Sequence, residues 1–138
     1  MNATAPTVPT APRTLDTSIE TLAVTHYEKI FGLCHALYAD PSVCTGVANQ
    51  AFRDAAETPD LTVVCRNAVR LLSRRPGIEL PVPSHSLLSN LAWLLKEVVN
   101  LRYNDIAIAL GMDSEQVKHE IAAVRDSLMA LVSEPSVA

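Results

Sequence analysis

The feature that most constrains the fold of this chain is a helical pattern at residues 93–128 that is interrupted twice. The apolar spacing breaks at 101–102, resumes for about two turns, and stops again at Gly111. Glycine readily adopts the left-handed conformation that ends a helix, and Asp113 or Ser114 can cap the amides that begin the next one. Apolar residues in that last helix recur at Val117, Ile121, Val124, Leu128 and Leu131. Two helices joined by a short glycine-containing turn predict a helix-turn-helix unit.

The rest of the sequence predicts helices in place of strands. Hydrophobic residues make up 49% of the 138 positions, enough for a core, whereas aromatic residues make up only 4%. Such an aliphatic composition favours helices over a β sandwich. Ser42 and Asp60 are the predicted N-caps of the second and third helices. Apolar periodicity and proline breakers place four helices upstream of the unit, at residues 15–39, 42–57, 61–75 and 86–99, so we predict an all-α fold.

The predicted helices form two small helical domains, residues 14–75 and 86–132, on either side of a proline-rich segment at 76–85. That segment contains three prolines and one glycine. It therefore predicts a stiff linker, which reaches about 35 Å at most when extended. Residues 1–13 are rich in Thr, Ala and Pro and are predicted to be a disordered tail, and 133–138 to be a second tail.

Charge is distributed unevenly between the two halves. Residues 1–75 carry seven Lys or Arg and seven Asp or Glu, whereas residues 76–138 carry four basic and eight acidic residues. The half that contains the helix-turn-helix unit is therefore the acidic one, with a net charge of −4. Because phosphate contacts supply most of the non-specific affinity for DNA, we expect this half to bind DNA weakly by itself.

The sequence lacks the motifs of several functional classes. There is no nucleophile elbow, phosphate loop, paired-histidine motif or Cys–His arrangement, so we expect neither enzymatic activity nor a cofactor or small-molecule substrate. Cys34, Cys44 and Cys65 lack metal-ligand spacing and are expected to be buried free thiols. No apolar run approaches the roughly 18 residues of a membrane span, and the N-terminus lacks the order of a secretion signal. We therefore expect a cytoplasmic protein without a membrane partner.

Two parts of the chain resemble bacterial RNA polymerase sigma factors of the sigma-70 family, in the order in which that family carries them. The run WLLKEVVNLRYNDIAIALG resembles region four, especially that of the extracytoplasmic-function class. Upstream, THYEKIFGLCHALYADPSVCTGVANQAF and LTVVCRNAVRLLSRR resemble the helices of region two. The region-four match falls on Leu94, Glu97, Val98, Leu101, Tyr103, Asp105, Ile106, Ala107, Leu110 and Gly111, and continues at Val117, Lys118, Arg125 and Leu128.

The resemblance implies a transcription regulator that binds RNA polymerase core and promoter DNA to direct transcription initiation, with an anti-sigma factor as a further partner. The residues expected to contact polymerase are Asn49, Gln50 and Arg53. The residues expected to contact DNA are Ser114, Gln116, Lys118, His119 and Arg125 in the last helix, and Arg66, Asn67, Arg70, Arg74 and Arg75 in the third. The alternative for the last helix is an ordinary solvated face, and the arginines could equally meet a partner's carboxylates.

Several positions depart from the family pattern. Where the family has acidic and Gln-Glu residues that face polymerase, this chain has Thr45, Gly46, Asn49 and Gln50. Asp60 replaces a tryptophan that supports strand opening, and only seven residues separate Phe52 from Asp60, where the family has a longer loop that captures bases. These departures favour a second hypothesis, a degenerate sigma mimic or adaptor that acts through protein contacts without opening the promoter. A third hypothesis is a free-standing helix-turn-helix repressor that dimerises through its first helix.

Overall fold

The structure is a computed structural model that describes residues 18–133. Within this range the chain contains no strand, which confirms the predicted all-α fold. The helices are α1 (Ile19–His35), α2 (Pro41–Arg53), α3 (Leu61–Ser73), α4 (Leu87–Leu94), α5 (Tyr103–Leu110) and α6 (Ser114–Ser133). A π-helical turn, Leu95–Val99, directly follows α4. The predicted tail at 1–13, the predicted start of the first helix at Leu15, and residues 134–138 of the second tail lie outside the described residues.

Both ends of α2 differ from the prediction. Asp40 caps the helix in place of Ser42, because its carboxylate accepts the Ser42 amide at 2.9 Å. Pro41, which predicted only the end of the first helix, occupies the first turn of α2, where its missing amide is harmless. Residues 54–57, predicted as the last turn of the helix, instead form tight turns that bury Ala55 against the core.

The third helix begins as predicted and ends earlier. The carboxylate of Asp60 accepts the Thr62 amide at 2.7 Å, which confirms the predicted N-cap. The predicted end at Arg75 is wrong by two residues. The hydroxyl of Tyr38, just beyond α1, donates to the carbonyls of Leu72 at 3.3 Å and Arg75 at 3.0 Å. The Leu72 carbonyl also accepts backbone amides, so the bond to Arg75 is the one that supplies a further partner, and both bonds join the end of α3 to the region after α1.

Apolar residues from all six helices meet in one hydrophobic cluster. Within the halves, α2 packs against α1 and α3, and α4 packs against α6. Between the halves, α3 packs against α5 and the π turn packs against α1. The second of these contacts is close, because a Cβ at Gly32 would lie only 3.3 Å from Cγ1 of Val98. None of the described helices is long and apolar enough to cross a bilayer.

The proline-rich segment 76–85 is fastened to the helices through Asn90. This side chain on α4 is fully buried, and its carbonyl oxygen accepts the Val82 amide at 2.9 Å. Val82 itself is only 3% exposed. The Asn90 amide group donates to the carbonyls of Val82, His85 and Ser86, at 3.0, 3.2 and 2.8 Å. One side chain therefore fixes the path of the segment that enters α4.

Replacing Asn90 by alanine should lower the free energy of unfolding by about 2–4 kcal/mol, because it removes the hydrogen bonds of a fully buried side chain and leaves the buried Val82 amide without a partner. Urea denaturation measures this change. The control is Asn104→Ala on the exposed surface of α5, which should change stability by less than about 0.5 kcal/mol. Equal effects of the two substitutions would contradict the role of Asn90.

Two glycines should respond to alanine in opposite directions. Gly111 has a φ of +68°, so alanine there should lower the free energy of unfolding by about 1 kcal/mol. Gly46 is exposed within α2 and has open space where a Cβ would stand. Alanine at that position should raise stability by about 0.5–1 kcal/mol. Thermal unfolding of both variants checks the signs, and a Gly111→Ala protein as stable as the parent would rule out the left-handed turn.

Candidate functional site

The helix-turn-helix unit consists of α5, a turn at residues 111–113, and α6. Gly111 ends α5 in the left-handed conformation, and both its amide and that of Met112 donate to the carbonyl of Ala107. The amide of Val117 then donates to the Asp113 carbonyl at 3.0 Å in the first turn of α6. The predicted extent of α5 and the predicted beginning of α6 are therefore confirmed.

The last helix has a buried face and an outward face. Val117, Ile121 and Val124 are buried as predicted, but Leu131 is 65% exposed. The predicted apolar stripe is therefore wrong at its last position, because α6 extends beyond the part that α4 and α5 cover. Of the five residues of α6 expected to contact DNA, Ser114 is half-buried, and four are exposed on the outward side, Gln116, Lys118, His119 and Arg125.

Three basic residues of the acidic half gather around one aromatic ring. The Nζ atoms of Lys96 and Lys118 lie 4.9 Å and 5.7 Å from the centroid of the Tyr103 ring, within the range of cation–π attraction. Nε of Arg125 lies 3.2 Å from Oε2 of Glu97. Hydrogen bonding to Glu97 raises the pKa of Arg125, and Tyr103 raises it further. We call these five residues the Tyr103 cluster.

Lys96 belongs to the Tyr103 cluster, and the sequence analysis did not select it. The prediction of one continuous helix to Val99 is wrong, because α-helical bonding ends at Leu94 and the wider π turn follows. Asn100 closes that turn in the left-handed conformation, with a φ of 65°. Apolar periodicity does not reveal a π turn, so it could not place Lys96 beside Tyr103. In the sequence, Lys96 is distinguished only as one of the four basic residues in the acidic half.

The basic residues of α6 have carboxylate partners that a ligand could replace. Nζ of Lys118 lies 3.1 Å from Glu115, with side chains 50% and 78% exposed, and the Arg125–Glu97 pair is 44% and 42% exposed. Exposed ion pairs contribute only about 0–1 kcal/mol. A phosphate could therefore take the place of either carboxylate at small cost. Together with Lys96, these groups carry one more positive than negative charge.

A second basic surface lies on α3. Arg66, Arg70 and Arg74 are one turn apart and line a groove of about 520 Å³ between α3 and the C-terminal end of α5. Nε of Arg66 is buried without a hydrogen-bond partner among the described residues. Across residues 18–133, no carboxylate lies within 4.0 Å of these three guanidinium groups. We call this feature the arginine groove, and its apolar lining includes Val69, Ile108 and Leu110.

The other two α3 residues expected to contact DNA lie apart from the groove. The amide group of Asn67 donates to the carbonyl of Ala51 at 3.1 Å, so this half-buried side chain joins α3 to α2. Arg75 is exposed just beyond the helix and does not line the groove. The structure thus brings three of the five α3 residues together.

The three residues expected to contact polymerase form a small polar surface on α2. Nη2 of Arg53 donates to the side-chain oxygen of Gln50 at 3.0 Å, and the amide group of Gln50 donates to Asp54 at 2.6 Å. Asn49 and Arg53 are exposed, and Gln50 is half-buried. One carboxylate, that of Asp54, also belongs to this surface.

The cysteines are part of the core. Cys34, Cys44 and Cys65 are buried free thiols, as predicted, and the described residues contain no group of three or more His, Cys, Asp or Glu that could hold a metal ion. Burial raises the pKa of Cys34 and of Cys65 to about 12. It also raises the pKa of Cys44, with a smaller contribution from Asp40. Such thiols are poor nucleophiles at neutral pH.

The raised thiol pKa values predict that stability falls in alkali. Below pH 9 the thiols are protonated in both states, but above it they ionise first in the unfolded chain, which favours unfolding until the folded pKa is reached. The free energy of unfolding should therefore fall from about pH 9 to pH 12, by about 1 kcal/mol per thiol and pH unit. Urea denaturation at pH 8 and 10.5 tests this fall, and a Cys34→Ala, Cys65→Ala protein should show a shallower one. An identical fall in both proteins would show that these thiols do not cause the loss of stability in alkali.

Seven of the ten residues expected to contact DNA occupy two separate surfaces, the outward face of α6 with the Tyr103 cluster beside it, and the arginine groove, whereas Ser114, Asn67 and Arg75 belong to neither. The residues expected to contact polymerase occupy a third, on α2. No protein-family model matches the chain, and no curated protein or solved structure matches it.

Proposed function

We propose that this chain is a sigma-factor-like transcription regulator that contacts RNA polymerase and promoter DNA, with α6 as the helix that reads DNA. The observation that supports it best is the outward face of α6, where polar residues are accessible on a helix positioned by the turn at Gly111. An α-helix fits the major groove of B-DNA, which is about 12 Å wide. The resemblance to sigma regions two and four supports the same function. The mechanism is recognition without covalent chemistry.

The proposed roles of the α6 residues follow from their chemistry and position. Gln116 and His119 lie one turn apart near the start of the helix, where the recognition helix of a helix-turn-helix unit contacts base edges. Glutamine can bond adenine through two hydrogen bonds. Lys118 and Arg125 contact phosphates in place of their carboxylate partners, and Lys96 adds a third positive charge to the same surface.

Polymerase is needed in this proposal because the DNA-reading half is acidic. Four basic against eight acidic residues in 76–138 oppose binding to a polyanion. The polar surface of Asn49, Gln50 and Arg53 on α2 would dock on polymerase core. Tethering would then raise the effective concentration of α6 at the promoter without any new contact to DNA.

A second candidate function is that of an adaptor that binds polymerase or an anti-sigma factor without opening DNA. The shared core of the two halves specifically favours the adaptor function. Because α3 packs against α5 and the π turn packs against α1, the halves do not separate without exposing apolar surface. Two DNA readers on a flexible tether could reach two promoter elements, whereas one compact body covers a shorter stretch.

The test combines DNA selection with polymerase binding. The full chain is incubated with bacterial core polymerase and a library of random duplexes, and bound sequences are recovered and footprinted. Lys118→Glu and Arg125→Glu should each weaken the footprint at least about tenfold, since each replaces a phosphate contact by repulsion. Glu97→Gln should strengthen it, because the substitution frees Arg125 and removes a negative charge.

Lys29→Glu is the matched control, since it makes the same charge change on α1, and it should leave the footprint unchanged. A footprint that survives Lys118→Glu and Arg125→Glu together would show that α6 does not contact DNA. Polymerase binding without any selected duplex would favour the adaptor. If neither polymerase nor an anti-sigma factor from the source cell is recovered with the chain, and no duplex is selected, both functions are wrong.

A further inference from the structure

We propose that the arginine groove is a binding site for a small phosphorylated molecule of nucleotide size. This activity goes beyond the proposed function and does not depend on α6. The groove has a volume of about 520 Å³. Sites for small molecules are typically about 300–1,000 Å³. It lies where the two halves of the chain meet, with α3 on one side and the C-terminal end of α5 on the other.

The charge in the groove is not balanced by the protein. Arg66, Arg70 and Arg74 bring three full positive charges, and the described residues place no carboxylate within 4.0 Å of them. The C-terminal ends of α3 and α5 both lie at the groove, and each carries a partial charge of about −0.5 from its aligned peptide groups. About two positive charges therefore remain. Nε of Arg66 is also buried, and it has no hydrogen-bond acceptor in the described part of the chain.

The chemistry of the lining favours a phosphate group joined to an apolar ring. Guanidinium groups bind phosphate through paired hydrogen bonds, which is why arginine is common at such sites. Beside the arginines, Ile108 is 56% exposed, although it is a large apolar residue in a helix that is otherwise mostly covered. Leu110 and Val69 extend this apolar lining. A nucleotide would place its phosphates on the arginines and its base on Ile108.

The location of the groove argues against duplex DNA as its occupant. The surface of a duplex is convex and presents a row of phosphates, whereas these arginines line an open groove bounded by α3 and by the end of α5. The exposed basic groups of the Tyr103 cluster suit a duplex better, because they lie on the outward side of the molecule. A small anion can enter the arginine groove and contact α3 and α5 together.

Isothermal titration of the full chain with ADP and with pyrophosphate, at low ionic strength, tests this site. ADP should bind with one molecule per chain, pyrophosphate more weakly, and adenosine not at all. Arg70→Gln and Arg74→Gln should each weaken ADP binding about tenfold, the loss of one charge-assisted pair of hydrogen bonds. Ile108→Glu keeps all three arginines but places a carboxylate among them, and should weaken binding by at least as much.

Arg75→Gln is the matched control, because it removes the same charge one residue away from Arg74 and outside the groove, and it should change ADP binding less than twofold. Melting temperatures confirm that each variant is folded. The Lys118→Glu, Arg125→Glu protein should bind ADP normally, so that this proposal and the DNA-reading function can fail separately. Absence of heat with both ADP and pyrophosphate, or equal weakening by Arg75→Gln, would overturn the site. Binding of a hexaglutamate peptide or duplex DNA alone would overturn it too, in favour of a macromolecular partner.

Discussion

The contact of α3 with α5 joins the two halves of the described chain and fixes how their surfaces are arranged. Together with the close approach of Val98 to Gly32, it buries apolar residues of both halves in a single cluster. Because α6 packs on α4 and α5, it presents its opposite side to solvent, and Arg66, Arg70 and Arg74 line the groove beside the end of α5. The polar surface of α2, the Tyr103 cluster and the arginine groove thus hold fixed positions relative to one another. A partner therefore encounters these three surfaces on a single folded unit.

Local chemistry explains what could be predicted from the sequence. The bounds of α5, the left-handed Gly111 and the Asp60 cap depend on residues within a few positions, so a pattern of caps and breakers was sufficient. The start of α2 was not predictable in the same way, because Asp40 followed by Pro41 can end one helix or begin the next. Here the pair only begins α2, because α1 ends at His35, with four residues between that end and the Asp40 cap.

Contacts between distant segments explain what the sequence did not reveal. Arg70 and Ile108 are 38 positions apart, and nothing in either helical pattern indicates that they share a groove. Asn67 follows Arg66 in sequence yet bonds to Ala51 on α2, because successive residues of a helix point about 100° apart. Lys96 reaches Tyr103 only because a π turn replaces α-helical geometry. The fold class was therefore within reach of the sequence, whereas the composition of the sites required the packing.

The π turn has a consequence for how this sequence could change. A π-helical turn closes its hydrogen bonds over one more residue than an α-helical turn, so it is equivalent to a one-residue insertion in a helix. Here the bond runs from the Asn100 amide to the Leu95 carbonyl. Deletion of a single residue in 95–99 would restore regular α geometry and rotate Lys96 and Glu97 relative to everything before them. Insertion or deletion of one codon could thus create or remove a surface that brings together Lys96, Tyr103 and Arg125. The hydrophobic positions of α4 would stay the same.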